Sequence, residues 1–256
     1  MSVQLELTNK RILVVGASSG VGRAVAGCVV RAGGRVVLAA RRARELEDAA
    51  AALRAEGGDA HAEVCDVTDQ AQCRAAVAAA IARLGGLDGF VYAPGISPLC
   101  MLREASHAQW QDVFAVNVIG ASHVTSAALE ALEADHGRAV YIGSYSVRQS
   151  LPGIGLYSTS KVALDGLIDA WRMEAPGVDF TRALLGNTSG TGFADGWDAE
   201  ETARVTRIWI DRGLFPAPTM MPLEVAAEAI TTVLAVEGYV DDIAIMPRQA
   251  DASARA

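Results

Sequence analysis

The chain has 256 residues, of which 51% are hydrophobic and 20% charged, and its formal net charge is −8. That length suits one large domain or two small ones, and the composition excludes collagen, wholesale disorder and a disulfide-stapled miniprotein. The acidic balance argues against a sequence-independent grip on nucleic acid, which needs clustered Lys and Arg.

No apolar run is expected to reach the roughly 18 residues of a membrane span. Residues 1–10 are mixed polar, which argues against a secretory leader. The four cysteines, Cys28, Cys65, Cys73 and Cys100, form no Cys-x-x-Cys pair. They read as buried free thiols in a reducing compartment, so a cytoplasmic location is expected. Only two of the 22 basic side chains are lysines, Lys10 and Lys161, and only three residues are asparagines, Asn9, Asn117 and Asn187. Where such rare types occur, chemistry is a stronger reason for them.

Short β-branched runs alternate with helical stretches along the chain. Residues 11–15 read as a strand, 20–32 as a helix, 35–40 as a strand, 43–56 as a helix and 60–65 as a strand. Residues 69–84 read as a helix with Asp69 in its first turn, where a carboxylate suits the dipole. Residues 87–93 follow as a strand, 107–135 as one long helix, 138–143 as a strand and 157–174 as a helix closed by Pro176-Gly177. Residues 178–185 and 242–246 read as strands, and 223–236 as a helix. Strands separated by helices mean βαβ crossovers. The expected fold is therefore α/β: a single doubly wound parallel sheet of about seven strands, spanning residues 1–256, with helices on both faces. Residues 187–222 break the rhythm and read as a lid insertion with its own helix at 199–212.

The glycine-rich turn Val15-Gly16-Ala17-Ser18-Ser19-Gly20-Val21-Gly22 joins the first strand to the first helix. Glycines there let the backbone approach a pyrophosphate, and the helix N-terminus offers free N–H groups. Gly16, Ser18, Ser19, Gly20 and Val21 are the candidate phosphate contacts. The second strand ends in Arg41-Arg42 with no carboxylate. An acidic residue at that point bonds a ribose hydroxyl, whereas guanidiniums suit a 2′-phosphate. NADP(H) is therefore expected, with NAD(H) as the alternative.

Tyr157 and Lys161 lie four residues apart, one helical turn, so they share a face. A neighbouring ammonium favours the phenolate and brings a phenol closer to proton exchange at neutral pH. Ser144 ends a predicted strand thirteen residues earlier, where ligands bind in such sheets. Its hydroxyl can donate to a substrate carbonyl. The histidines share no metal-ligand spacing, and a Gly-x-Ser-x-Gly elbow is absent.

On these motifs the chain resembles the short-chain dehydrogenase/reductase family in its form of about 250 residues. Gly16, Gly20 and Gly22 match that family's cofactor turn. The resemblance implies that Asp66 and Val67 hold the adenine and that Asn117 supports a proton relay. Ser144, Tyr157 and Lys161 would form the rest of a catalytic tetrad. Ala93 and Gly95 would stand where the family has its Asn-Asn-Ala-Gly stretch, here Tyr92-Ala93-Pro94-Gly95. Val15 stands where the family usually has threonine. The segment after the sixth strand, Leu185-Gly186-Asn187-Thr188-Ser189-Gly190-Thr191, leaves Thr188 and Thr191 both open as cofactor contacts, with Thr188 preferred.

The family implies hydride transfer between a nicotinamide and a carbonyl/alcohol pair. A silent NADP(H)-binding sensor or scaffold is the alternative, and an epimerase or dehydratase a more distant one. The resemblance also implies a homotetramer or homodimer built on helices 107–135 and 157–174. The lid's Phe193, Trp197, Trp209, Phe215, Met220 and Met221 could line an apolar substrate pocket or pack the lid onto the body. A ring ketone, a 3-oxoacyl chain or a polyketide would fit such a pocket. No metal is expected.

Overall fold

A computed structural model describes residues 6–214 and 219–248, so Phe215 lies outside the described residues. Seven strands form one parallel sheet in the order β3-β2-β1-β4-β5-β6-β7. They are β1 Arg11–Val15, β2 Arg35–Ala40, β3 Ala60–Val64, β4 Gly89–Tyr92, β5 Arg138–Ser144, β6 Asp179–Leu185 and β7 Asp242–Ile245. Val36, Val37 and Leu38 of β2 are fully buried. A central parallel strand covered by helices on both faces needs such an unbroken apolar run.

On one face α1 Gly20–Arg31, α2 Ala43–Ala55 and α8 Leu223–Ala235 pack over Val14, Leu38 and Val140. The other face carries α3 Gln70–Leu84, α5 Gly120–Ala134 and α6 Gly155–Glu174 over Phe90, Tyr141 and Phe180. The chain leaves β1 toward β2 on one side and later returns to place β4 on the other. Strand order reverses there, and a crevice opens beyond the strand ends. Val15 of β1 is level with Tyr92 of β4, and Ser144 of β5 with Leu185 of β6.

The structure refines the helix ends. Asp69 is the N-cap of α3 rather than a first-turn residue, its carboxylate accepting from the backbone N–H of Ala71 and Gln72 at 2.8 and 3.1 Å. α6 starts at Gly155, two residues before Tyr157.

The expected single helix 107–135 is in fact α4 His107–Phe114, a π-helical turn Ala115–Ile119 and α5. A capping box between Ser106 and Gln109 starts α4. The combined stretch His107–Ala134 runs for 28 residues with an 18-residue window of mean hydropathy 1.2. This corrects the expectation that nothing here is long and apolar enough to cross a membrane. Its apolar side chains Val124, Ala128 and Leu132 are buried in the core beneath the sheet, which accounts for that composition.

The insertion leaves and rejoins the body at one neck. Thr188 pairs with Met221, Met221 N donates to Asn187 O at 2.8 Å, and Ser189 N to Met221 O at 3.0 Å. Its helix, α7 Ala199–Asp211, is N-capped by the Asp198 carboxylate. Trp209 Nε1 donates to Pro152 O at 2.8 Å, and Val205 and Trp209 are buried with Leu99 and Ile154.

Candidate active site

The glycine turn sits at the point where strand order reverses. Gly16 has φ +82°, and a Cβ there would meet Pro94 N at 2.9 Å, at the end of β4. Gly20 has φ +55°, and its Cβ would meet Thr191 O at 2.9 Å. At Gly22 a Cβ would fall 2.5 Å from Gly16 O, so only glycine lets α1 pack this closely on the turn. No side chain caps the first turn of α1, which leaves its backbone N–H groups free for an anion. This cradle fits a dinucleotide pyrophosphate.

The two arginines differ. Arg42 reaches back over the turn: its Nη2 donates to Ser18 Oγ at 2.9 Å and to Ser19 Oγ at 2.6 Å. Arg41 is exposed to solvent. Val21 is buried at the start of α1. Asp66 Oδ1 accepts from Thr68 N and Thr68 Oγ1 at 3.0 and 2.8 Å, which turns the chain so that Val67 is buried. Val67 O is met by His123 Nδ1 at 3.2 Å. Thr188 Oγ1 is turned back onto Gly186 O at 2.9 Å. It is the backbone of Thr191, not of Thr188, that lies over Gly20.

Tyr157, Lys161, Ser144 and Asn117 come together across β5, α6 and the π turn. Tyr157 is 8% and Lys161 2% exposed. Lys161 Nζ lies 5.8 Å from the Tyr157 ring centre and donates to Ile142 O at 2.8 Å. Burial pushes the Tyr157 phenol up to about 12, against the lowering effect of a hydrogen bond with the Ser144 hydroxyl. Burial pulls the Lys161 ammonium down to about 8, opposed by the negative charge of Asp165. Ser144 Oγ also accepts from Ser146 N at 3.2 Å.

Asn117 is fully buried at the centre of the π turn, a helix defect that often accompanies function. Its Oδ1 accepts from Ile96 N at 2.9 Å, and its Nδ2 donates to Ile96 O at 3.1 Å and Ser160 Oγ at 2.9 Å. The amide thus ties the loop after β4 to α6. Ala93 and Gly95 lie on that loop. A Cβ on Gly95 would stand 3.6 Å from Lys161 Nζ and 3.7 Å from Asn117 Oδ1, in the gap between the two polar groups.

Sequence reasoning missed Tyr92. Its hydroxyl donates to Val116 O at 2.6 Å, tying β4 to the π turn from a position where the resemblance implied a lost side-chain amide.

The lid's aromatic and methionine residues divide. Phe193 stands edge-on to Tyr157 with ring centres 5.0 Å apart, and Trp197 edge-on to Phe193 at 5.4 Å. Trp197 Nε1 donates to Ser97 O at 2.7 Å. Trp209 anchors the lid, Met221 belongs to the core of the body, and Met220 is 65% exposed. Arg204 of α7 pairs with Glu104 at 2.5 Å, a further tie from lid to body. The four cysteines are free and buried. Among the described residues no cluster of His, Cys, Asp and Glu could hold a metal ion.

Comparisons with known proteins agree with the fold. A dehydrogenase/reductase structure from Sinorhizobium meliloti 1021 superposes with a TM-score of 0.81 at 27% identity, covering 95% of this chain and 96% of that one. Glycine betaine reductase ATRR of Emericella nidulans is 34% identical over 197 residues, which are 76% of this chain and 16% of that much longer protein. A Streptomyces violaceoruber protein named for ketoacyl reduction in the granaticin polyketide synthase is 37% identical over 165 residues, 63% of this chain and 61% of its own. Residues 10–201 match the family described as short chain dehydrogenase, and the chain belongs to that family of NAD(P)-binding oxidoreductases.

Proposed function

We propose that the protein is an NADP(H)-dependent oxidoreductase that interconverts a ketone and a secondary alcohol, with reduction as its working direction. The observation that carries this reading is the buried Tyr157 phenol with the buried Lys161 ammonium 5.8 Å from its ring centre, at the end of β5 that carries Ser144. A substrate oxygen between the hydroxyls accepts a hydrogen bond from Ser144 and the proton from Tyr157. Lys161 stabilises the phenolate that forms, and Asn117 holds the loop that keeps space open beside Lys161 for a proton relay.

Gly16, Ser18, Ser19, Gly20 and Val21 would hold the pyrophosphate, Arg42 with Arg41 the 2′-phosphate, and Asp66 and Val67 the adenine. Ala93, Gly95 and Thr188 would border the nicotinamide half. When bound, the dinucleotide supplies the hydride; the chain supplies orientation and electrostatics. The preference for NADP(H) rests on Arg42 lying across Ser18 and Ser19 with no carboxylate on the end of β2.

Phe193 and Trp197 beside Tyr157 favour an apolar substrate, such as a ring ketone, a 3-oxoacyl chain or a polyketide. The free buried thiols suit a cytoplasmic location. The helix pair α5 and α6 would carry a dimer or tetramer contact.

The test follows NADPH oxidation with a panel of such ketones, with NADH as the control. Tyr157→Phe should lose at least about a thousandfold in kcat while still binding NADPH. A Tyr157→Phe protein with undiminished turnover removes the proton donor from the scheme. NADPH binding by the wild type without turnover of any ketone would favour the sensor reading.

A further inference from the structure

Asp165 lies one helical turn beyond Lys161 on α6, on the same face. Its Oδ1 is buried and has no hydrogen-bond partner among the described residues. A buried carboxylate oxygen left without a donor is costly and calls for a reason. The other cations in this region are already engaged. Arg182 of β6 pairs with Asp242 of β7 at 2.7 Å and with Asp169 of α6 at 3.3 Å. Arg172 pairs with Asp169, Asp241 and Asp242.

The charged side chains of this region are thus Lys161, Asp165 and Asp169 on α6, Arg182 on β6 and Asp242 on β7. Lys161, for its part, hydrogen-bonds among the described residues to a neutral carbonyl, Ile142 O at 2.8 Å, although it is 2% exposed. A buried ammonium with no anion nearby gives up its proton readily.

We propose that Asp165 is a positioning residue for the reaction: from one turn along α6, its carboxylate keeps Lys161 an ammonium beneath Tyr157. The inference rests on the reading of Lys161 as the cation that serves Tyr157. Asp165 touches neither the phenol nor the substrate and acts only through the lysine. The remaining ionisable groups around the pair are Tyr157 and Asp169 on α6, Arg182 on β6 and Asp242 on β7; Arg182, Asp169 and Asp242 are tied to one another. The π turn contributes Asn117, which does not ionise. In agreement, Asp165 is the charge that raises the Lys161 pKa against burial; burial pushes the Asp165 carboxyl itself up, and among its neighbours the Arg182 guanidinium most favours the carboxylate.

The chain holds two lysines, so the titration can be read directly. In protein labelled with 13C at the lysine ε-carbon, each lysine gives one resonance, assigned with Lys10→Arg. Lys10, with 54% of its side chain exposed, is the internal control. In the cofactor-free protein, Asp165→Asn should move the Lys161 midpoint down by at least about half a pH unit, leave Lys10 in place, and be reversed by Asp165→Glu. The alkaline limb of kcat for ketone reduction should move down by the same amount, with the ketone KM unchanged.

Circular dichroism checks the fold of each variant, and Asp165→Ser replaces Asp165→Asn if the latter does not fold. A Lys161 midpoint that stays put or rises without the carboxylate overturns the inference. Absence of turnover in the wild type would instead overturn the proposed activity, while the resonance titration would still decide the role of Asp165.

Discussion

The edge of the Phe193 ring rests against the ring of Tyr157, the centres 5.0 Å apart and the planes inclined at 74°. A lid residue some 36 positions later in the chain therefore covers the phenol, although Phe193 itself remains 40% exposed. An aromatic pair of this geometry contributes about 0.5–1.5 kcal/mol beyond area burial.

Phe193→Ala should uncover Tyr157 while leaving the body of the fold intact. The expected result is a rise of about tenfold in KM for an apolar ketone, with a smaller change in kcat. Steady-state kinetics against a small polar ketone provides the comparison, since that substrate should lose little. Equal losses for both would argue against Phe193 as a wall of the substrate site.

Arg42 and Arg41 should separate cleanly in binding. Arg42 spans the Ser18 and Ser19 hydroxyls, whereas Arg41 faces solvent. Arg42→Ala should weaken NADPH binding at least about tenfold, equivalent to roughly 1.4 kcal/mol, and leave NADH binding nearly unchanged. Both side chains are exposed, and only Arg42 is held over the turn by the two hydroxyls, so Arg41→Ala should weaken NADPH binding by less than about threefold. Fluorescence titration of both nucleotides checks this.

Asn117 makes three hydrogen bonds in a fully buried setting. Asn117→Ala would leave Ile96 N and O and Ser160 Oγ short of partners, at about 1–3 kcal/mol for each unsatisfied group before relaxation. The expected loss is about 3 kcal/mol in a urea unfolding curve. A stability unchanged within about 0.5 kcal/mol would mean that water replaces the amide.

Lys161 titrates near 8 in the folded chain against 10.5 as its ordinary value. Between those pH values the unfolded chain holds the proton that the folded chain has released, so stability rises with pH across that window. Below about pH 8 both states are charged and the penalty of burying the ammonium is felt in full. The rise amounts to about 3 kcal/mol at most. Lys161→Met carries no charge, so the difference in stability between wild type and variant should shift in favour of the wild type from pH 8 to 10.5. Tyr157 acts with the opposite slope above pH 10, where the folded chain keeps a proton that the unfolded one releases. Urea unfolding of both proteins at several pH values provides the measurement.

Much of this was legible in the chain because it depends on residues close in sequence. The alternation of β-branched runs with helical stretches forecasts all seven strands to within about three residues at each end. β4, one of two four-residue strands, lost its first two expected residues, and there Asp88 pairs with Arg11 at 2.7 Å. The four-residue spacing of Tyr157 and Lys161 put them on one face before any coordinates. What escaped depends on distant partners. The π turn at Ala115–Ile119 has no local signature; it is held by Asn117 reaching Ile96 and Ser160, 21 and 43 residues away. The helical periodicity of residues 107–135 therefore read as one unbroken helix. Likewise, nothing near Tyr92 shows that its hydroxyl meets Val116 O, 24 residues on.

The sequence by itself determined the sheet class, the glycine cradle and the common face of Tyr157 and Lys161, since backbone sterics, strand patterning and helical pitch act over a few residues. Only the tertiary structure decided which arginine bends over the turn and that Thr191 rather than Thr188 roofs Gly20. It also decided which lid aromatics face the phenol and that Asp165 Oδ1 finds no donor among the described residues. Those outcomes depend on the order in which strands assemble and on which buried polar groups find partners, quantities set by contacts between segments far apart in the chain.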